Sequence, residues 1–478
     1  NNVGVMALDY NGKEGIATSI GHAPISALID PKAGSRNAIA EALSNIVFAP
    51  LKDNLKSVSL SANWMWACKN EGEDARLYEA VEACSEFAIE LGINIPTGKD
   101  SLSMKQKYPN DEVIAPGTVI ISAAGNCSNI TKVVEPVLQR KKRTIYYINL
   151  SQDDFKLGGS SFAQTLNKIG TETPTIKDSQ FFKKAFNTIQ ELIKDRQIVA
   201  GHDIGSGGLI TTLLEMCFAD VDLGAKISFD AFKEKDLVKI LFAENIGIVL
   251  QAKEDAVFEK AFEDLEYYKI GSVQNIPSLD FGTSTGLSVT NFDIGIYREM
   301  WFETSFLLDQ KQTKNGKSLE RFENIPNQPL HYKFPAHFTG LKPVIDATKP
   351  RPKAAIIREK GSNSEREMAN AMYLAGFDVK DVHMTDLISG RETLEDIQFI
   401  GAVGGFSNSD VLGSAKGWAG AFKYNEKANS ALKKFFERED TLSVGICNGC
   451  QLFMELELIN PEHEVHGKMH HNDSHKHE

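Results

Sequence analysis

The chain has 478 residues and a net charge of −12 at pH 7, and its hydrophobic and charged fractions of 42% and 24% are ordinary for a soluble globular protein. This length predicts two to four domains, and the acidic balance argues against non-specific binding to nucleic acid. Six cysteines are too few for a disulfide framework and favour a reducing cytosol, while the lack of a long apolar run or a signal peptide argues against a membrane partner.

Residues 1 to about 130 alternate short strands and helices, as expected of an α+β layer rather than a regular βαβ series. The pattern predicts strands at 3–8, 15–20 and 58–62, a strand pair at 113–124, and helices at 35–48 and 75–91. The chain begins Asn1-Asn2, without Met, and enters the first strand at once. We therefore expect it to be one piece of a longer protein.

The helix at 35–48 carries a pair of oxygen-bearing side chains. Glu41 and Asn45 are four residues apart, so they lie on one face of that helix. Hard oxygen donors of this kind suit Mg²⁺ bound beside phosphates and waters. The pair predicts a metal site, and a solvated helix face is the alternative.

Two polar segments are candidate binding loops. Lys99-Asp100-Ser101 is predicted to bind phosphate or substrate, with a surface turn as the alternative. His202-Asp203 precedes Gly205-Ser206-Gly207-Gly208, which opens a helix predicted at 209–219. Backbone N–H groups of such a loop, at a helix N-terminus, form a cradle for an anion. Asp203 is then placed to meet a metal ion that accompanies the anion.

The second segment, from 144 to about 300, is predicted to be another α+β unit, with a strand at 144–150 and helices at 181–196 and 209–219. Ahead of it, the basic run at 140–143 is expected to be a solvated loop rather than a nucleic-acid patch. Residues 310–350 are rich in Lys, Asn, Gln and Pro and lack periodicity, so they predict a linker.

The last segment, from 353 onward, alternates strands and helices again. Strands are predicted at 354–357, 378–383, 399–403 and 442–446, and helices at 364–375 and 451–458. Apolar strands in this alternation predict a doubly wound parallel sheet, whose ligands lie outside the carboxyl ends of the strands. Gly404-Gly405-Phe406 and Cys447 both fall at such ends.

Cys447 is the candidate nucleophile. It follows a predicted strand at once, and Asn448-Gly449 then allow a sharp turn into a helix. A thiol there is exposed, the helix dipole favours its thiolate, and backbone N–H groups can face an oxyanion, as in a serine nucleophile elbow. A buried structural cysteine is one alternative. A dithiol or zinc site with Cys450 is another, although no second CxxC is present to complete a zinc site.

Longer stretches carry a resemblance to a known family. Three of them resemble the class I glutamine amidotransferase domain of the phosphoribosylformylglycinamidine synthase family: AIIREKGSNSEREMANAMYLAGFDVKDVHMTDL, GGFSNSDVLGSAKGWA and GICNGCQLF. Four more are similar to the second half of that family's synthetase region, a member of the aminoimidazole ribonucleotide synthetase superfamily: ATSIGHAPISALIDPKAGSRNAIAEALSNI, SLSANWMW, IPTGKDSLSM and HDIGSGGLITTLLEM. The resemblance covers nearly the whole chain and is weakest across 225–350.

The resemblance implies a fold and an order of domains. Residues 1–135 and 143–305 would be the two α+β subdomains of a half that is like aminoimidazole ribonucleotide synthetase, and 306–350 would be a linker. Residues 351–478 would be an α/β glutamine amidotransferase domain with a flavodoxin-like, doubly wound parallel sheet, truncated at its C-terminus. The first synthetase half of the same enzyme would be a missing partner.

The resemblance also implies an activity. The whole enzyme would use ATP and glutamine to convert formylglycinamide ribonucleotide to formylglycinamidine ribonucleotide in purine biosynthesis, in the cytoplasm. Cys447 would attack the glutamine amide and form a γ-glutamyl thioester, with Gly405 and Asn448 as oxyanion-hole N–H donors.

A nucleotide site is implied as well. By the resemblance, Glu41, Asn45 and Asp203 are Mg²⁺ ligands of a tightly held ATP or ADP that does not turn over. Gly205, Ser206 and Gly207 would lie near that nucleotide. Asn2 stands where the family has a further aspartate ligand.

The family's glutaminase base, a His oriented by a Glu, is expected further along than Glu478. The tail histidines lie in a polar, aperiodic stretch ahead of that position, so they predict neither the base nor a metal cluster; they are His463, His466, His470, His471, His475 and His477. The chain alone is therefore expected to be inactive in glutamine hydrolysis. A nucleotide-stabilised scaffold without turnover is the alternative, and a lone aminoimidazole ribonucleotide or selenophosphate-type synthetase is disfavoured because neither carries the Cys447 domain.

Overall fold

The computed structural model describes residues 2–9, 12–141, 143–282, 288–327, 332–341, 344–346 and 348–476. They fall into two compact units, residues 1–306 and residues 307–478. Short 3₁₀ turns cover Asn54–Ser57, Ile130–Lys132, Ile325–Asn327 and Ser407–Asp410. No helix in the described part of the chain is both long and apolar enough to cross a bilayer.

The first unit begins with a five-stranded sheet of order β1-β2-β7-β3-β4. Its elements and the hairpin β5-β6 are β1 (Gly4–Ala7), β2 (Gly15–His22), α1 (Pro24–Ile29), α2 (Pro31–Ile46), β3 (Val58–Met65), α3 (Glu73–Leu91), β4 (Asn94–Ser101), β5 (Lys105–Tyr108), β6 (Asp111–Ile114) and β7 (Thr118–Cys127). Along β2 buried and exposed residues alternate, so one face of the sheet packs on the core and the other stays open. Helix α2 begins where the Asp30 side chain accepts from the N–H of Lys32, with Pro31 at its first position.

A second, seven-stranded sheet follows in the same unit, with the order β14-β13-β10-β12-β8-β11-β9. Its elements are β8 (Thr144–Ile148), α4 (Ser161–Thr165), α5 (Ser179–Lys194), β9 (Ile198–Asp203), α6 (Gly208–Phe218), β10 (Gly224–Ser228), α7 (Leu237–Phe242), β11 (Ile248–Ala252), α8 (Asp255–Ala261), β12 (Tyr268–Gln274), β13 (Ser278–Gly282), β14 (Ser288–Asp293) and α9 (Ile294–Gln312). Most neighbours in this sheet are antiparallel; β10 and β13 are parallel.

One hydrophobic core is shared by the two sheets of this unit. Phe182 on α5 packs edge-on against Phe87 on α3, with ring centroids 5.9 Å apart. The fully buried Gln190 on α5 donates to the carbonyl of Ala49 at 2.9 Å and accepts from the N–H of Leu51 at 2.8 Å. These bonds satisfy backbone groups that would otherwise be buried without partners, so α5 belongs to the packing of both sheets.

The second unit contains a four-stranded parallel sheet of order β17-β15-β18-β20. Its elements after α9 are α10 (Lys317–Glu323), β15 (Lys353–Arg358), β16 (Ser362–Asn363), α11 (Glu365–Leu374), β17 (Asp378–His383), α12 (Met384–Ser389), β18 (Phe399–Ala402), β19 (Gly404–Gly405), α13 (Lys416–Lys423), α14 (Glu426–Phe436), β20 (Leu442–Gly445) and α15 (Asn448–Glu455). In chain order the strands lie 2-1-3-4, the arrangement of flavodoxin-like sheets. The predicted fold class, α+β followed by a doubly wound parallel sheet, is confirmed.

Three local predictions are corrected. Lys99-Asp100-Ser101 is not a loop but the end of edge strand β4, because residues 97–101 pair with β3. Helix α15 begins at Asn448, three residues earlier than predicted, since the chain turns directly at Cys447. The region predicted to be an aperiodic linker contains the end of α9 and all of α10.

Candidate functional site

Cys447 sits at a tight elbow between β20 and α15. Its thiol is exposed, and its backbone has φ 53° and ψ −111°, a conformation that residues with a side chain rarely adopt. A Cβ on Gly445 would lie 2.6 Å from the carbonyl oxygen of Gly449, and one on Gly449 would lie 2.1 Å from that of Ala402. Only glycine fits at these two positions, which explains why the chain has a glycine two residues before and two residues after the thiol.

The loop after β18 lies against the same thiol. A Cβ on Gly404 would be 3.2 Å from the Cβ of Cys447 and 3.8 Å from its sulfur. Gly405 has φ +106°, and a Cβ there would come within 2.7 Å of the carbonyl oxygen of Gly361. The N–H of Phe406 donates to that oxygen at 2.9 Å. Because the N–H of Phe406 is already bonded, the N–H of Gly405 is the candidate oxyanion donor on this loop.

The start of α15 supplies the other predicted donor. The N–H groups of Gly449 and Gln451 donate to the carbonyls of Ile446 and Cys447, at 2.9 Å and 3.1 Å. The N–H of Asn448 belongs to the first turn, where no intrahelical acceptor exists. The structure thus brings the Gly404-Gly405 strand and the first N–H of α15 to the thiol.

Within the described residues, no hydrogen bond or ion pair joins Cys447 to a histidine. Of the tail histidines, His471 and His475 stack with ring centroids 5.7 Å apart, and His466 lies 3.7 Å from Glu457. Cys450 is also exposed and forms no disulfide.

In the first unit, Glu41 faces other carboxylates. Its Oε2 accepts from the N–H of His22 at 2.9 Å. Burial raises the pKa of Glu41 to about 7, and the nearby carboxylates of Asp203 and Glu244 add to the rise against the opposing effect of that hydrogen bond. Mutually repelling, largely buried carboxylates are relieved by a divalent cation, so these oxygen donors suit Mg²⁺. Among the described residues, no group of three or more His, Cys, Asp or Glu side chains is arranged to hold a metal ion; the predicted set has two carboxylates and one amide.

His202 holds Asp203 in place. Its Nδ1 lies 3.1 Å from Oδ1 of Asp203, and its Nε2 lies 3.1 Å from Oε2 of Glu215. Burial alone would lower the pKa of His202, but its hydrogen bonds to these carboxylates outweigh that effect and raise the pKa to about 9. Trp301 donates to the other oxygen of Glu215 at 3.3 Å. Asp203 is thus oriented by a cationic neighbour.

The glycine-rich loop already holds a carboxylate. Oε1 of Glu244 accepts from the N–H of Gly207 and from that of Ser161, both at 2.7 Å. Gly207 is therefore not free to bind a phosphate in this conformation. A Cβ on Gly205 would meet no atom within 4 Å, so the other end of the loop is open. Glu244 was not predicted from the sequence, because its position two residues after α7 gives no signal of a contact with the glycine-rich loop.

The remaining predicted residues lie elsewhere. Asn2 and Asn45 line one cavity of about 610 Å³ beside the first sheet, whereas Glu41 and Asp203 are not among its lining residues. The Nδ2 of Asn2 is buried without a hydrogen-bond partner among the described residues, and Asn45 donates to the carbonyl of Glu41 at 3.0 Å. Lys99 and Asp100 are exposed, and Lys99 donates to Ser101 at 3.0 Å.

Three family models match the chain. They are an FGAR-AT PurM_N-like domain at residues 1–126, the AIR synthase related protein C-terminal domain at 150–281, and a CobB/CobQ-like glutamine amidotransferase domain at 351–478. Among curated proteins, the Homo sapiens phosphoribosylformylglycinamidine synthase is 39% identical over 94% of this chain. The Arabidopsis thaliana probable phosphoribosylformylglycinamidine synthase, chloroplastic/mitochondrial, is 40% identical over 98% of it. Over nearly its whole length the chain is similar to phosphoribosylformylglycinamidine synthases.

The chain spans about a third of the length of these relatives, 34% of the human protein and 33% of the Arabidopsis one. Among solved structures, Thermotoga maritima PurL complexed with FGAR is 16% identical and has a TM-score of 0.50 over 62% of this chain and 48% of that chain. At this identity the likeness supports the fold alone.

Proposed function

We propose that this chain is the part of a phosphoribosylformylglycinamidine synthase that carries the second synthetase half and the glutaminase nucleophile. The whole enzyme would amidate formylglycinamide ribonucleotide with ammonia taken from glutamine, at the expense of ATP. The observation that supports this best is the exposed thiol of Cys447 in a strained elbow, with the first N–H of α15 and the Gly404-Gly405 strand beside it.

The thiolate of Cys447 would attack the side-chain amide carbon of glutamine. The N–H groups of Gly405 and Asn448 would bind the oxyanion that forms on the amide oxygen. The carbon–nitrogen bond would then break, ammonia would leave, and a γ-glutamyl thioester would remain on Cys447 for water to hydrolyse. A histidine from a segment outside this chain, as the family resemblance implies, would take the thiol proton and return it to the departing nitrogen.

A nucleotide with Mg²⁺ would lie in the first unit. Glu41, Asn45 and Asp203 would hold the metal, and Asn2 is a weaker candidate because, by the family resemblance, that position carries an aspartate ligand. Gly205 and Ser206 would approach the phosphates, and Gly207 would do so only if Glu244 released its N–H. When bound, the metal would neutralise phosphate charge and the clustered carboxylates. The proposed role of Lys99, Asp100 and Ser101 is limited to a contact with phosphate or substrate at the end of edge strand β4.

We further propose the division into domains at 1–135, 143–305 and 351–478, with 306–350 between them, in a cytoplasmic enzyme. The first synthetase half would cover the open face of the first sheet. That face exposes three apolar side chains on neighbouring strands, with Met6 75%, Ile16 39% and Ile20 58% exposed.

A second candidate function is a nucleotide-stabilised scaffold with no turnover. It is favoured by one observation, that no described histidine is bonded to Cys447. The two candidate functions differ in whether the full-length enzyme hydrolyses glutamine.

The test is the variant Cys447→Ala in the full-length enzyme. We expect glutamine-dependent product formation to be lost and ammonia-dependent formation to survive, because the synthetase site does not need the thiol. Full glutamine-dependent turnover in the variant would reject the assignment of the nucleophile.

A further inference from the structure

We propose that the side chain of Asn448 is a positioning residue, which holds the loop of the oxyanion donor Gly405 onto the nucleophile elbow. This inference rests on the proposed glutaminase function of Cys447. It concerns the amide side chain of Asn448, whereas the oxyanion role above concerns its backbone N–H.

The geometry of this side chain is specific. Asn448 is only 1% exposed. Its Oδ1 accepts from the backbone N–H of Ser407 at 3.1 Å, and its Nδ2 donates to Oε1 of Gln451 at 2.8 Å. The first bond joins α15 to the loop after β18, and the second fixes the amide from within α15. Because a backbone N–H can only donate, the orientation of the amide is determined.

The loop that receives this bond needs restraint. Asn408, Ser409 and Asp410, which follow Ser407 directly, have φ of 52°, 57° and 48°. Three consecutive left-handed residues with side chains are costly, and such a segment persists only where its surroundings hold it. Two other hydrogen bonds also restrain the loop, since the N–H of Asn408 donates to the carbonyl of Lys360 at 2.7 Å and Asp410 accepts from the N–H of Ala415 at 2.9 Å.

Asn448 ties this loop to the helix that begins directly after Cys447. Ser407, 1% exposed, has a hydroxyl with no hydrogen-bond partner among the described residues, so its own side chain cannot replace the bond. Without Asn448, the buried N–H of Ser407 would lose its partner. The loop would then relax, and Gly405, two residues earlier, would move with it. An oxyanion donor displaced in this way no longer stabilises the transition state.

The test compares Asn448→Ala, Asn448→Asp and Gln451→Ala in the full-length enzyme. We expect Asn448→Ala to lower the kcat of glutamine hydrolysis by about 100-fold, the loss typical of one oxyanion donor, with KM nearly unchanged. Alkylation of Cys447 by iodoacetamide, which needs no oxyanion hole, should keep its rate. Asn448→Asp keeps an acceptor for Ser407, and Gln451 can turn its amide to donate, so most of the activity should return. Gln451→Ala removes the partner of Nδ2 but leaves the bond to Ser407, so it should lower kcat less than Asn448→Ala does.

Two results would overturn the proposal. One is a kcat for Asn448→Ala close to that of the unaltered enzyme. The other is an equal loss of glutaminase and of alkylation, since that would mean a general collapse of the elbow. Cys447→Ala in the same assay tests the proposed function separately: if it still hydrolyses glutamine, the glutaminase assignment fails, whatever Asn448 does.

Discussion

At Cys447 the backbone takes up a conformation with φ 53° that the surrounding glycines allow. The order Gly445-Ile446-Cys447-Asn448-Gly449 was sufficient to predict this turn, because glycines at both sides of a thiol after a strand are typical of an elbow. The contact of Asn448 with Ser407 could not be predicted, since the two residues are 41 positions apart and neither belongs to a periodic pattern.

The carboxylate cluster of the first unit was predicted in part. Glu41 and Asp203 were predicted separately, one from helix spacing and the other from its glycine-rich loop. Glu244 was not predicted, because its partners are backbone N–H groups, which leave no mark on the sequence. Glu41 comes within electrostatic reach of Asp203 and Glu244 only in the fold.

Glu41→Gln should change the pH dependence of stability in the metal-free protein. The folded pKa of Glu41, about 7, lies above its ordinary value of 4.5. The folded protein therefore binds more protons between these values, and its stability falls as pH rises from about 4.5 to 7. Glu41→Gln removes this fall in the free energy of unfolding, which amounts to about 3 kcal/mol. We expect its melting temperature to exceed that of the unaltered protein at pH 8 and to match it near pH 4.5. A constant offset at every pH would contradict this.

At the scale of elements, β18, β20 and α15 meet backbone to backbone. Gly449→Ala places a Cβ 2.1 Å from the carbonyl oxygen of Ala402, so the helix must shift. We expect a loss of about 1–3 kcal/mol in local stability, measured by hydrogen exchange of the β20–α15 amides. Gly420→Ala on α13 is the matched control, because its Cβ meets nothing closer than 3.7 Å. Equal protection in the two variants would contradict the close approach.

The elements themselves were largely predictable, and their partners were not. The amphipathic pattern of α5 predicted a helix at 181–196, close to the observed Ser179–Lys194. Periodicity shows that a helix buries one face, but it does not show which element covers that face. The packing of α5 through Phe182 and Gln190 could therefore not be predicted from the sequence. The parallel sheet was predictable because its strands alternate regularly with helices and its order follows the doubly wound rule.

At the scale of the whole molecule, the open sheet face is proposed to be covered by the remainder of the enzyme. Ile20→Asp would then place a charge in an interface and lower the melting temperature of the full-length enzyme. Ile89→Asp on α3 is the control: Ile89 is 74% exposed, more than the 58% of Ile20, and its replacement should change stability by no more than about 0.5 kcal/mol. Equal effects of the two substitutions would contradict the proposed interface.

Nucleotide binding can be tested on the same full-length enzyme. Mg²⁺ with ADP should raise its melting temperature, because a ligand that binds only the folded state stabilises it. Asp203→Ala should reduce that rise, since only the nucleotide site that uses ATP in turnover would remain, while Asp100→Ala, at the exposed end of β4, should retain it in full. A rise of equal size in Asp203→Ala would remove Asp203 from the site.

The most direct test of the central claim, that Cys447 forms an acyl-enzyme with glutamine, is to quench the full-length enzyme during turnover and map the adduct by mass spectrometry. We predict a γ-glutamyl group on the peptide that contains Cys447 and none on the peptides of the other five cysteines of this chain. An adduct on another cysteine, with Cys447 unmodified, would contradict the account.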